Sequence, residues 1–252
     1  MSCLALTGAV VDALRTAATR DELARLMASV TREMKFRYYA LVHHDDLRTP
    51  QPNLVDLKDY PLRIAERLFG QHRYRRDPVI RGCIFADGAF LWSDLSRFIH
   101  LDRHDRASFE MGAAEGLNEG ITVPYVRLGD RMGSCTFAGT QRPEQAHQFL
   151  GAAQMIGIFA FQAACKLVSG ARSMATTSLK LHPRPRDCVV LAGRGYSNKE
   201  IARALCLTPR TVDGYLTEAR RLFDAHDRTE LVVGAVLAGE VGLHELARRQ
   251  PE

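Results

Sequence analysis

The chain has 252 residues, 46% hydrophobic and 25% charged, which excludes a disordered polyelectrolyte and implies one large or two small packed domains. A formal net charge of +5 and a pI near 9.0 suit a polyanionic partner.

Residues Leu4 to Met34 read as two helices. Val10, Val11 and Leu14 mark the first. Thr19 stands three before Glu22, the spacing of a capping box, and Leu23, Leu26, Met27, Val30 and Met34 follow at helical intervals. Phe36, Tyr38, Ala40 and Val42 then alternate with Arg37, Tyr39, Leu41 and His43, as in a strand. Asp45 to Asn53 is a charged, proline-containing loop. Leu54 to Leu57 suits a short strand, and Pro61 opens a helix through Leu68. Asp77 caps a helix that Pro78 begins. Phe90-Leu91-Trp92 is a short apolar run, and Leu101 to Glu115 is a helix with Gly116 at its end. Ile121 to Val126 and Met132 to Ala138 alternate around Gly129-Asp130 as a hairpin. Gln145 to Val168 is a long helix, apolar over most of its circumference and therefore largely buried.

This order predicts an antiparallel sheet with helices on both faces, an α/β/α sandwich. Ser169 to Lys180 is small, polar and basic, and reads as a linker. The domains expected are a first over residues 1–168, the linker over 169–180 and a second over 181–252.

The second domain is an all-α, four-helix unit of helix-turn-helix layout. Val189, Val190 and Leu191 form the inner side of its first helix, which Gly195 stops. Ser197 and Glu200 make a capping box for a second helix with Ile201, Ala202 and Leu205 inward. After a turn at Cys206-Leu207, Thr208 caps a third helix with Pro209 at its first position. Val212, Leu216, Ala219 and Leu222/Phe223 face its core; Arg210, Thr211, Asp213, Gly214, Thr217, Arg220 and Arg221 face outward. That layout points to DNA. Lys199, Arg210, Arg220 and Arg221 are phosphate candidates. Asp213, Gly214 and Thr217 are set toward the base edges, where Asp213 suits a cytosine amino group, and Thr211 is a further DNA-binding candidate. Residues 181–252 hold eleven Lys/Arg against ten Asp/Glu, so phosphate attraction alone is modest and a homodimer is needed for useful affinity.

The six cysteines Cys3, Cys83, Cys135, Cys165, Cys188 and Cys206 include no C-x-x-C pair, which points to reduced, buried thiols without zinc. No basic-then-apolar leader is evident, and no apolar run approaches ~18 residues, so a cytoplasmic protein clear of the membrane is expected. His100, Asp102, His104 and Asp105 crowd together in charged surroundings that suit a solvated helix start better than a metal or acid–base site. No phosphate loop or nucleophile elbow marks an enzyme, and no cofactor is implied. A phosphorylated receiver needs a strand-end aspartate in a parallel repeat, and Asp45-Asp46 instead lies in the proline-containing loop.

The stretch GRGYSNKEIARALCLTPRTVDGYL resembles the LuxR-type helix-turn-helix, with Pro185, Leu191 and Asp213 standing where that family commonly has an acidic, an aromatic and a basic residue. Tyr60-Pro61, Asp77-Pro78, Trp92 and EGLNEGITVP at Glu115 to Pro124 resemble the autoinducer-binding domain of LuxR-type quorum-sensing regulators, a GAF/PAS-like sandwich. The resemblance implies that Asp77 accepts from a ligand amide N–H and Tyr60 donates to an acyl carbonyl. Trp92 packs on the head group, Thr136 adds a polar contact, Ala40 and Val42 line the acyl side, and Val79 is a further ligand-binding candidate. The family's second tryptophan, which bonds the lactone carbonyl, is Ile64 here, and a frequent aromatic four residues on is Leu68. The implied ligand is an acyl-homoserine lactone or a related amide or ester. The alternative is an orphan regulator with a non-lactone ligand or none.

Overall fold

The computed structural model describes residues 3–45, 51, 53–70, 76–128, 130–169 and 179–247. The chain divides into two compact units, Met1–Arg172 and Ser173–Glu252.

In the first unit, α1 (Cys3–Thr16) and α2 (Arg20–Glu33) precede β1 (Phe36–His43). The Thr19 capping box forms: its hydroxyl accepts from the Glu22 amide at 3.2 Å, and the Glu22 carboxylate accepts from the Ala18 and Thr19 amides. β2 (Asp56–Asp59) starts two residues later than the sequence pattern suggested. Helix α3 (Leu62–Ala65) runs into a π turn at Glu66–Gly70, where a single helix was expected. Next come α4 (Pro78–Phe85), β3 (Phe90–Leu91), a 3-10 turn (Trp92–Arg97), α5 (Arg103–Ala114), β4 (Gly120–Tyr125) and β5 (Gly133–Thr140). A second 3-10 turn (Pro143–Phe149) leads into α6 (Leu150–Ser169). Gly129, in the hairpin turn, and most of the loop after Asp45 lie outside the described residues, as does the linker stretch 170–178.

The sheet order is β2-β1-β5-β4-β3, with every pair antiparallel. One face is close-packed against α1, α2 and α6. Leu41, Ile121, Val123, Cys135 and Phe137 meet Leu14, Leu23, Met27, Ile156 and Phe161 there. Helix α6 can approach this closely because of Gly157, where a Cβ would stand 2.8 Å from the Val123 side chain. The other face carries small or hydroxylated residues, Ala40, Val42, Thr122, Ser134 and Thr136, and is covered by the short elements from α3 to α5.

The stretch Pro143–Val168 corrects one expectation: it is part-buried rather than largely buried, with 39% of its most apolar window inside the fold. It holds an 18-residue window of mean hydropathy 1.4 and is long and apolar enough to cross a membrane by length and composition. Scattered Gln148, Gln154 and Gln162 break the continuous run without lowering the average far. In the fold its apolar side is used: Ala153, Ile156, Ala160, Phe161 and Ala164 are buried in the core.

The second unit contains α7 (Pro183–Gly193), α8 (Asn198–Ala204), α9 (Pro209–Leu222), α10 (Arg228–Leu237) and a short α11 (Leu243–Leu246). The last helix exceeds the four expected. Arg186 secures it by donating to the Glu245 carboxylate at 2.7 and 2.9 Å and to the Glu240 carbonyl at 2.8 Å. Cys188, Val189, Ile201, Val212, Leu216, Ala219, Leu231 and Ala235 form the core. Leu222 does not join it and is 38% exposed, because the helix ends there and only Phe223 turns inward. Pro185 is buried in the first turn of α7, where an amide would have no intrahelical acceptor anyway. Not all thiols are buried: Cys165 is half-buried, and Cys206 is exposed in the α8–α9 turn at φ +54°.

Candidate functional site

The open face of the sheet is arranged by register. Ala40 pairs with Thr136, Thr136 with Thr122, and Thr122 with Phe90, so one row crosses four strands. The Thr122 and Thr136 hydroxyls are 3.0 Å apart, and Thr122 also accepts from the Trp92 indole N–H at 3.0 Å. Gly120 makes room for that indole: a Cβ there would stand 2.6 Å from the ring. The Glu119 carboxylate accepts from the Trp92 amide at 3.0 Å and the Gly120 amide at 2.8 Å, tying the start of the 3-10 turn to β4. Asn118 bridges Glu119 and Thr140 in the same way. The run Asn118-Glu119-Gly120 is therefore the clamp that fixes Trp92.

Above this row lies a hollow. It offers about 80 Å3 to the centres of water-sized spheres, within about 690 Å3 of space free of atoms when its mouth is included. It is slender, with room for several waters. Ala40, Val42, Tyr60, Ile64, Asp77, Val79, Trp92 and Thr136 all line it, so the eight residues proposed from sequence meet in one place. Sequence reasoning missed Arg67, Ser108, Phe109, Leu117 and Ser134, which line it too. Register with Val42 could have found Ser134; nothing in the local pattern marks Arg67 or Ser108.

Asp77 has two tasks. Its Oδ1 accepts from the Val79 and Ile80 amides at 2.9 and 3.1 Å, capping α4, while the carboxylate borders the hollow. Removal from water raises its pKa from 3.8 to about 6; the two amide bonds and the Arg67 charge oppose the rise. Burial likewise raises the Tyr60 phenol, with the Asp77 charge adding to it, so Tyr60 is a neutral donor. Burial also holds the Cys83 and Cys135 thiols protonated. The Tyr60 ring meets Tyr38 edge-on at 6.4 Å, and Trp92 tilts against Phe109 at 6.1 Å.

The acidic cluster near residue 100 is local structure. Asp102 and Asp105 form the capping box of α5, and Arg81 donates to both Asp105 carboxylate oxygens at 3.0 Å.

In the second unit, Ser197 and Glu200 make their capping box, and the Thr208 hydroxyl accepts from the Thr211 amide at 3.1 Å to start α9. Arg210, Asp213, Gly214 and Arg221 on α9 and Lys199 on α8 are exposed. A Cβ on Gly214 would meet only open space. Thr211, Thr217 and Arg220 are half-buried, and Arg220 donates to the Thr217 hydroxyl at 3.1 Å, so these two act together. Asn198, not foreseen, accepts from Arg228 at 3.2 Å beside Asp213.

Residues 19–164 match the family described as autoinducer binding domain. Residues 180–235 match that described as bacterial regulatory proteins, luxR family. The HTH-type quorum sensing-dependent transcriptional regulator RpaR of Rhodopseudomonas palustris is 31% identical over 167 residues, covering 66% of this chain and 67% of its own. The transcriptional activator protein AnoR of Acinetobacter nosocomialis is 20% identical over 235 residues, 91% of this chain and 96% of its own. Escherichia coli SdiA has a similar fold, with a TM-score of 0.57 at 17% identity over 94% of this chain and 98% of that one. SdiA in complex with octanoyl-rac-glycerol gives 0.56 at 17% identity, over 94% and 96%.

Proposed function

The chain belongs to the LuxR family of bacterial regulatory proteins, as a ligand-responsive quorum-sensing transcription regulator with an autoinducer binding domain and a helix-turn-helix domain, and on that premise we propose that it takes an acyl-homoserine lactone or a related acyl amide or ester into the hollow and binds DNA as a homodimer. The observation that carries this is the convergence of Tyr60, Asp77, Trp92 and Thr136 on one hollow. Asp77 accepts from the ligand amide, Tyr60 donates to the acyl carbonyl, and Trp92 and Thr136 flank the head group. Ala40, Val42, Ile64 and Val79 take apolar surface. Such a ligand stabilises the first unit by mass action.

On DNA, Lys199, Arg210, Arg220 and Arg221 meet phosphates. Thr211, Asp213, Gly214 and Thr217 face base edges, and two copies paired through α6 span half-sites one helical turn apart. The protein works in the cytoplasm, free of the membrane, with α6 as a core and pairing helix. The second reading is an orphan regulator for a non-lactone ligand or none, favoured by Ile64, which is buried and has no donor for a lactone carbonyl. That loss is worth about 1–3 kcal/mol if nothing replaces it.

Titrating acyl-homoserine lactones, acyl glycerols and acyl amides while following Trp92 emission and thermal unfolding tests the sensing half. A saturable shift with a rise in melting temperature is expected. No response across the panel refutes it.

A further inference from the structure

The wall that lacks a neutral donor at Ile64 has a charged one a turn later. Arg67 stands three residues after Ile64, on the same side of the α3–π-turn segment, and both line the hollow. Two of its guanidinium nitrogens are engaged by uncharged groups on α5: Nη2 donates to the Ser108 hydroxyl, and Nη1 lies against the Met111 sulfur. Its Nε–H is buried and finds no acceptor among the described residues. Nor is Arg67 ion-paired with a carboxylate among them, although its charge reaches Asp77 and favours that group's ionised form. A guanidinium keeps its charge at any working pH, so it cannot relieve this by losing a proton. A guanidinium carries five N–H donors, so donors remain beyond those that Ser108 and Met111 engage, and two of them can take a carboxylate with parallel bonds.

We infer that Arg67 reads the head group and that the hollow takes an N-acyl amino acid with a free carboxylate, the ring-opened form of an acyl-homoserine lactone being the simplest case. This rests on the reading that Asp77 holds an acyl amide in the same hollow. The amide N–H and the carboxylate of such a molecule flank one carbon, which matches an acceptor, Asp77, and a cation, Arg67, that line the same hollow and feel each other's charge. A closed lactone offers the guanidinium a neutral carbonyl in place of a charge-assisted pair. The Ser108 hydroxyl, bound to Nη2, holds the guanidinium in place.

The test uses the full chain and two probes, N-octanoyl-homoserine and N-octanoyl-homoserine lactone, with affinity read from Trp92 emission and calorimetry. The acid is expected to bind about tenfold or more tightly than the lactone. Arg67→Met erases that preference by weakening the acid while leaving the lactone within about threefold, and Arg67→Lys restores part of it. A wild-type preference for the lactone overturns the inference, as does an equal loss of both ligands in Arg67→Met. In either case lactone binding leaves the acyl-amide sensor standing. If neither probe binds, the inference and the acyl-amide reading fall together. Should Arg67→Met not fold, the wild-type ratio and Arg67→Lys still decide.

Discussion

Replacing Asp77 with asparagine separates its two tasks. Asparagine keeps an oxygen for the Val79 and Ile80 amides, so the α4 cap survives. It removes a carboxyl that ionises at about pH 6 in the fold, against an ordinary value of 3.8. The folded state therefore holds the proton more tightly than the unfolded chain. Its stabilising share is complete below about pH 4 and is lost as pH rises through 6. At about 1.4 kcal/mol per pH unit, the ionised carboxylate costs the apo fold about 3 kcal/mol at pH 7. Asp77→Asn should match wild type near pH 4 and exceed it at pH 7 by up to this amount, while losing ligand, since its amide presents a donor to a ligand N–H. Trp92 is the sole tryptophan and borders the hollow, so urea unfolding followed by its emission reports the first unit alone. The comparison must be a difference against wild type, because His44 runs the other way. Burial lowers its pKa from 6.5 to about 4, so the unfolded chain holds the extra proton and stability rises with pH across that window. A wild-type-minus-mutant curve flat from pH 4 to 8, or a mutant less stable at pH 7, refutes the assignment of an enclosed, strained carboxylate.

Thr122→Val deletes the hydroxyl that accepts from Trp92 and meets Thr136, and leaves a part-buried indole N–H unpaired; a loss of about 1–3 kcal/mol in urea unfolding is expected, and a loss below about 0.5 kcal/mol contradicts a structural role for that bond. Gly214→Ala adds a methyl in open space on α9 and should stabilise the second unit by about 1 kcal/mol in a circular-dichroism melt, with weaker operator binding; an unchanged melt contradicts the helix, and unchanged binding contradicts the base-facing role. Arg221→Ala should weaken matched and scrambled DNA alike and lower the salt slope by about one, whereas a loss confined to the matched site would make Arg221 a base reader.

The parts of the fold with strong local chemistry were legible. Capping boxes at Thr19 and Ser197, the Asp77-Pro78 start and the Gly116 and Gly195 stops all lie where the pattern put them. What escaped were elements without periodicity of their own: the two-residue β3, the 3-10 turn that carries Trp92, and the π turn that carries Arg67. These are held by tertiary bonds, such as Glu119 to the Trp92 amide, and a one-dimensional pattern holds no record of them. The hollow was half legible. Motif residues marked Tyr60, Asp77 and Trp92, but Ser134, Ser108 and Arg67 arrive by register or from α5 and the π turn.

That division follows the mechanics of the unit. The face of the sheet bearing Leu41, Cys135 and Phe137 is packed to exclusion, and a change there spoils the whole core. Over the hollow, β1 and β5 present Ala40, Val42, Ser134 and Thr136, side chains of one to three heavy atoms, and the cover is cut into segments of four to twelve residues. Such segments repack at lower cost than α6, since fewer buried contacts hold each one. A ligand filling a slender hollow therefore gains stability where the apo fold is weakest, and it does so beside Asp77, whose ionised form the apo fold tolerates poorly. Supplying that carboxylate with an amide donor returns free energy that the empty site withholds. The response to ligand should for this reason be larger at pH 7 than at pH 5, and an equal gain in melting temperature at both values would place the coupling elsewhere.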